Sequence, residues 1–483
     1  MPDHRTHAFS DDALGEHDAV GLVAALHAGT VSIPEVIEAA IARAERMQPE
    51  LNGIAHAAFD RARAEAREPR PGFFAGVPTW IKDNVDAAGM PTMQGTDAWV
   101  GVRAKRDGDF TRMYLATGLV PLGKSQLSEY GFLPSAEHPR IGPVRSPWDT
   151  RYTAGASSAG SAAMVAAGVV PFAHANDGGG SIRIPASVNG LVGLKPTRGR
   201  LAQDAMMRQM PVRIISDGVV TRSVRDTAAF FREAEKVYRA LHLPPVGDLT
   251  RPGRRRLRIG VATEGVGRSA SPEVTELTLK VAAKLEELGH HVEQVDAPVE
   301  ASFPHDFLLY WSSLAYFLLR GGRRMHGVSW NPDNLDNVTH GLATHARRHL
   351  HRMPGAIRRL RRSTRASAEF FKSYDVSLTP TLATQTPAVG WLDPTQHYEQ
   401  VMDRVLDWVA FTPLQNATGD PAMSLPLATT GAGLPLGMMF GAGAGHEATL
   451  IELAYELEEA VPFARIQGGG ASDSQFGQTA EAV

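Results

Sequence analysis

Three consecutive glycines running into a serine, Gly178-Gly179-Gly180-Ser181, constrain this chain more than any other feature. The run lies between Asp177 and Ile182-Arg183-Ile184-Pro185, after a small, apolar stretch from Ala162 to Ala175. Glycine reaches backbone conformations closed to other residues and lets a ligand approach the main chain. A row of bare N–H groups beside a hydroxyl can cradle an oxyanion while that hydroxyl attacks a carbonyl. The segment reads as acyl-transfer apparatus, with Ser181 as nucleophile and the N–H groups of Gly178, Gly179, Gly180 and Ser181 as the oxyanion hole. A Gly-Gly-Gly-Ser run standing alone is more often a plain turn, so its company decides.

A serine hydroxyl near neutral pH needs a base. Lys82 closes the run Gly76-Val77-Pro78-Thr79-Trp80-Ile81-Lys82, whose Val/Trp/Ile content reads as a buried strand. A lysine desolvated at such a strand end has a lowered pKa and offers a neutral amine. His174 is the alternative base. No aspartate is evidently placed to orient it, and no G-x-S-x-G elbow surrounds Ser181, so the sequence leans to Lys82 and leaves His174 open.

A third segment runs from Pro147-Trp148-Asp149 through Arg151 to Gly155-Ala156-Ser157-Ser158-Ala159-Gly160-Ser161-Ala162-Ala163. With the lysine segment and the 24-residue step from Ser157 to Ser181, it resembles the signature of the amidase signature family. Further similar segments follow in order: Pro121-Leu122-Gly123-Lys124, then 190–200, 217–226, 416–426 and 433–436. The resemblance implies an α/β fold, a mixed twisted sheet covered by helices on both faces. It implies a Ser–cisSer–Lys triad of Ser181, Ser157 and Lys82, with Ser157 on a cis peptide relaying the proton from Ser181 to neutral Lys82. It further implies an acyl-enzyme on Ser181 that water resolves, release of acid plus amine or ammonia, and no metal or organic cofactor. Homodimers are common in that family. Within it, 74–78 and 174–200 are similar to the 6-aminohexanoate cyclic dimer hydrolase-like branch, which implies tolerance for aryl and for cyclic or linear secondary amides. Three positions depart from the family pattern: Ala156 and Ala159 stand where glycine is usual, and Gly178 where threonine is common.

Two other readings compete. The A subunit of a tRNA-dependent amidotransferase shares the triad, but usually has glutamine where this chain has Ile184. A non-catalytic binding protein on the same fold could use the eight arginines between Arg347 and Arg365 for an acidic partner, although a solvated or ion-paired helix face is the commoner use. His345 and His349 stand four apart but lack the glutamate of an H-E-x-x-H site, so no metal is expected there. The chain has no cysteine, which excludes a disulfide framework and a thiol nucleophile. A net charge of −3 gives no pull toward nucleic acid or membrane. No secretory signal and no 18-residue apolar run is seen, so a cytoplasmic protein acting on a small-molecule amide is expected.

The chain divides into an N-terminal helical segment at 1–70, a signature core at 71–230, a strand–helix connection with a helical insertion at 231–372, and the rest of the α/β core at 373–466. A small, polar tail at 467–483 reads as disordered. The insertion, near 300–372, offers Trp311, Tyr316, Phe317 and Trp330 as pocket walls. Tyr130, Met206, Met207, Trp391 and Asn416 flank signature segments and complete the expected substrate-binding set. Such a lining suits hydrophobic or aromatic groups.

Overall fold

Strands buried on every residue need cover on both faces, and four of the longest here have that character: Phe172–Asp177, Ser216–Thr221, Ala422–Thr429 (all but its last residue) and Pro435–Ala442. In the computed structural model, which describes residues 4–265 and 268–468, they belong to one eight-stranded mixed sheet. Its order is His291–Gln294, Arg258–Val261, Val376–Pro380, Pro435–Ala442, Ala422–Thr429, Val192–Lys195, Ser216–Thr221 and Phe172–Asp177. The first three strands run parallel and the other neighbouring pairs are antiparallel. The expected mixed α/β sheet is present. Residues 469–483, most of the expected disordered tail, lie outside the described residues.

The Phe172–Asp177 strand forms one edge of this sheet. A three-stranded sheet of Ile54–Ala57, Val120–Ser125 and Pro78–Lys82 abuts it. The two are stitched by side chains: Thr79 Oγ1 donates to Phe172 O at 3.0 Å, and His174 Nδ1 accepts from Lys82 N at 3.2 Å. This junction carries the C-terminal end of the lysine strand to the strand that leads into the glycine run.

Local signals set many element ends. Ser32 and Glu35 form a capping box at the start of the Ile33–Leu51 helix, with Pro34 in its first turn. The insertion folds as three main helices, Phe303–His326, Asn337–His349 and Met353–Ser373. Its arginine-rich stretch is partly tied down within the chain: Arg359 Nε reaches Asp306 Oδ2 at 2.7 Å, and Arg361 donates to Pro211 O at 2.8 Å. Among the described residues no helix is long and apolar enough to cross a membrane.

Candidate active site

The Lys82 side chain is fully buried. Its Nζ donates to Ser157 Oγ at 2.7 Å and to Asn176 Oδ1 at 2.6 Å. Burial pushes the amine down to about 7, against the pull of Asp217 and Asp177, which raise it. Desolvation wins because no carboxylate touches the ammonium directly. A lysine in this state has a ready neutral form near neutral pH and can accept a proton.

Ser157 follows a cis peptide bond from Ala156. The left-handed conformation in this loop falls on Gly155, at φ 65°, and Ala156 is not among the positive-φ residues. The alanine at 156 is therefore tolerated. Ser158 stands at the N-cap position of the Ala159–Ala166 helix but makes no capping bond. Its hydroxyl donates instead to Ser181 O at 2.6 Å, tying the two serine loops together.

The glycine run is shaped by Asp177. Its Oδ1 accepts from Gly180 N at 2.7 Å and its Oδ2 from Ile182 N at 3.2 Å. Gly180 N–H is thus engaged, contrary to the expectation that it faces an oxyanion; the N–H groups of Gly178, Gly179 and Ser181 have no protein acceptor among the described residues. Gly180 adopts φ 136°, and an added Cβ would strike Thr412 Oγ1 and the Ile184 side chain. Gly180→Ala is expected to destabilise the fold by about 1–3 kcal/mol, read as a lower melting temperature. Arg183 closes the arrangement, with Nε 2.9 Å from Asp177 Oδ2 and Nη2 2.9 Å from Asp177 Oδ1.

His174 is fully buried and occupied on both ring nitrogens, by Lys82 N and by Asp217 Oδ1 at 3.3 Å. An aspartate does orient it, contrary to the sequence reading. The antiparallel register that sets Asp217 opposite Asn176 brings that carboxylate in. The imidazole supports the Lys82 backbone rather than facing Ser181.

Ser181 opens onto a cavity of about 370 Å³. Its walls come from several distant segments, with Phe132 and Leu133, Phe307 and Trp311, Met402, and Phe411 among them. Of the expected substrate-binding residues, Trp311 lines this cavity. A Cβ on Gly178 would lie 3.2 Å from Trp311 Cζ3, so this indole fills the space a larger residue 178 would claim. Met206 points to solvent, 73% exposed, and Met207 sits beside it outside the cavity. Tyr130 and Trp330 are not in the cavity lining and pack with Trp99 and His326, and Tyr130 backs the cavity-wall residue Phe132 with ring centroids 5.9 Å apart. Trp391 lies under the Arg404 guanidinium. Asn416 is buried and structural: Nδ2 donates to Asp177 Oδ1 at 2.8 Å and Oδ1 accepts from Arg183 at 2.7 Å. A polar residue beside a signature segment was as apt to brace the nucleophile loop as to meet substrate, and here it braces.

Residues 35–451 match the family described as Amidase. The chain belongs to the amidase family. It is an amide-hydrolysing enzyme, 63% identical over 466 residues to a protein carrying an amidase name, AmiC of Mycobacterium leprae (strain TN), covering 96% of this chain and 99% of the relative. Among solved structures, 6-aminohexanoate cyclic dimer hydrolase is 30% identical with a TM-score of 0.86, covering 95% of this chain and 99% of that one. A bacterial aryl acylamidase of the amidase signature family is 25% identical with a TM-score of 0.83, covering 93% and 97%.

Proposed function

We propose that this amidase cleaves secondary amides bearing a bulky apolar arm, aryl, cyclic or linear, through an acyl-enzyme on Ser181. The observation that carries the reading is the buried, pKa-lowered Lys82 amine 2.7 Å from Ser157 Oγ, beside a serine that opens onto an apolar cavity. Ser181 Oγ attacks the amide carbonyl carbon while its proton passes through Ser157 to Lys82. The N–H groups of Gly178, Gly179 and Ser181 receive the oxyanion. The C–N bond then breaks as the proton returns through the relay to the leaving nitrogen. Water repeats the attack on the ester, with the same groups exchanging the same proton. A direct Ser157–Ser181 hydroxyl bond is not formed among the described residues, and catalytic hydrogen bonds of this kind tighten in the substrate complex.

The cavity volume falls in the range that holds a drug-sized ligand, and its neighbours' names, a cyclic dimer hydrolase and an aryl acylamidase, fit bulky amides. A chain without cysteine suits a reducing compartment, and the cytoplasm is our placement for it. Exposure to a fluorophosphonate, read by intact-protein mass, tests the nucleophile. One adduct on the wild type, absent from Ser181→Ala, is expected. An adduct that persists in Ser181→Ala overturns the assignment.

A further inference from the structure

A central strand under cover on both faces is normally apolar on both, yet Val376–Pro380 is not. Val376, Leu378 and Pro380 are buried on one face, and Ser377 and Thr379 stand on the other, as the two-residue period requires. Across the sheet, Ser377 lies between Gly260 on one neighbouring strand and Gly441 on the other. Phe370 and Val295 fill the space over Gly260, where an added Cβ would lie 2.9 Å from Phe370 Cζ, and Gly260, Ser377 and Thr379 line the cavity that Ser181 opens onto.

This floor of the cavity carries polar groups. Thr379 Oγ1 is buried with no hydrogen-bond partner. A Cβ on Gly441 would lie 2.7 Å from Ser377 Oγ and 3.6 Å from Gln415 Nε2, which places hydroxyl and amide around the same point. Gln415 also lines the cavity, and its Oε1 accepts from Arg183 Nη1 at 3.0 Å, which turns the NH₂ end away from Arg183. A buried polar atom without a partner is costly, and an apolar cavity with a few placed polar groups is the usual form of a specific ligand site.

Resting on the proposed amide hydrolysis, we propose that Ser377, Thr379 and Gln415 form a recognition subsite for a second, neutral hydrogen-bonding group on the substrate's apolar arm, a carbonyl oxygen above all. The three side chains supply one amide NH₂ and two hydroxyls, all able to donate. The arginines nearby are already matched, Arg183 by Asp177 and Arg268 by Asp403 and Asp407, and the cavity lining also holds an acid, Asp296. A carboxylate placed on this floor would lack a counter-charge and is disfavoured. The preferred substrate is then a diamide or ω-carbonyl amide rather than a plain alkyl amide.

The probes are linear secondary amides in which one arm is ethyl and the other, acyl or amine, is a chain of three to eight carbons. Each chain ends in methyl, carboxamide or carboxylate, and product formation gives kcat/KM. In the wild type, at one chain length in one arm, the carboxamide end is expected to exceed the methyl end by about 10-fold, the worth of one or two hydrogen bonds. The carboxylate end should show no such gain. In Thr379→Val, nearly isosteric, that ratio should fall to about 2-fold or less, and in Thr379→Ser it should return. Melting curves establish that both variants fold. Turnover of methyl-ended chains with no carboxamide gain at any length overturns the subsite while leaving the amidase reading intact. No turnover of any chain overturns the preference for amides with an apolar arm. A carboxylate gain equal to or above the carboxamide gain, or a ratio unchanged in Thr379→Val, also overturns the subsite.

Discussion

Lys82→Met is expected to lower kcat/KM by about 10²–10⁴-fold, with the fold retained. Methionine keeps the length and the apolar stem of the side chain but cannot take a proton. The same lysine should govern the pH profile of the wild type. Its useful form is the neutral amine, so activity is lost as the group protonates. The kcat/KM of the wild type should rise with pH through about 7, the position to which burial lowers Lys82, and level off above it. The residual activity of Lys82→Met should lack that limb. His174 gives the counter-test. Burial holds it below its ordinary value, against the Asp217 carboxylate, which raises it. If His174 were the base, the limb would lie lower on the pH axis and would survive in Lys82→Met. His174→Asn should instead weaken catalysis modestly, by loosening the support of the Lys82 main chain.

Features that depend on neighbours in the chain were legible in the sequence. The Ser32–Glu35 capping box and the Glu447–Ala460 helix lie where local pattern puts them, because caps and periodicity act over a few residues. Lys82, Ser157 and the glycine run could be singled out because each carries a local signature. What remained hidden depends on register and on meeting in space. Asp217 reaches His174 only through antiparallel pairing that no local pattern encodes. Gly180 lost its place in the oxyanion hole to a carboxylate three residues earlier, an option open to any turn with a preceding aspartate. The aromatic residues of the insertion illustrate a further limit. Trp311 faces the cavity, Trp330 stacks on His326, and Phe317 is 62% exposed, although all three sit in the same stretch. Helical periodicity assigns a face to each, but it does not say which face meets the substrate.

Arg183→Met should be the most destabilising single change at this site, about 3–5 kcal/mol, because it strands the buried Asp177 charge. Burial alone would raise the Asp177 carboxyl. The charge and hydrogen bonds of Arg183, with Lys195 and Asn416, outweigh burial and hold it well below the usual carboxylate range. The guanidinium fork uses its geometry fully, meeting both Asp177 oxygens, Gln415 and Asn416. Lysine offers one point charge in place of that fork, so Arg183→Lys is expected to recover only a small part of the loss. Removing both charges tells pairing from packing: Arg183→Met with Asp177→Asn should be more stable than Arg183→Met alone, since no bare charge remains. Urea unfolding of the three variants measures this, and a loss below about 1 kcal/mol in Arg183→Met would mean that the pair contributes no more than a surface ion pair. The double variant should still be a poor enzyme. Asp177 is the acceptor that fixes Gly180 and Ile182 on either side of Ser181, so stability can return while the nucleophile loop stays unshaped. Recovered stability with unrecovered kcat would separate the pair's part in folding from its part in holding Ser181.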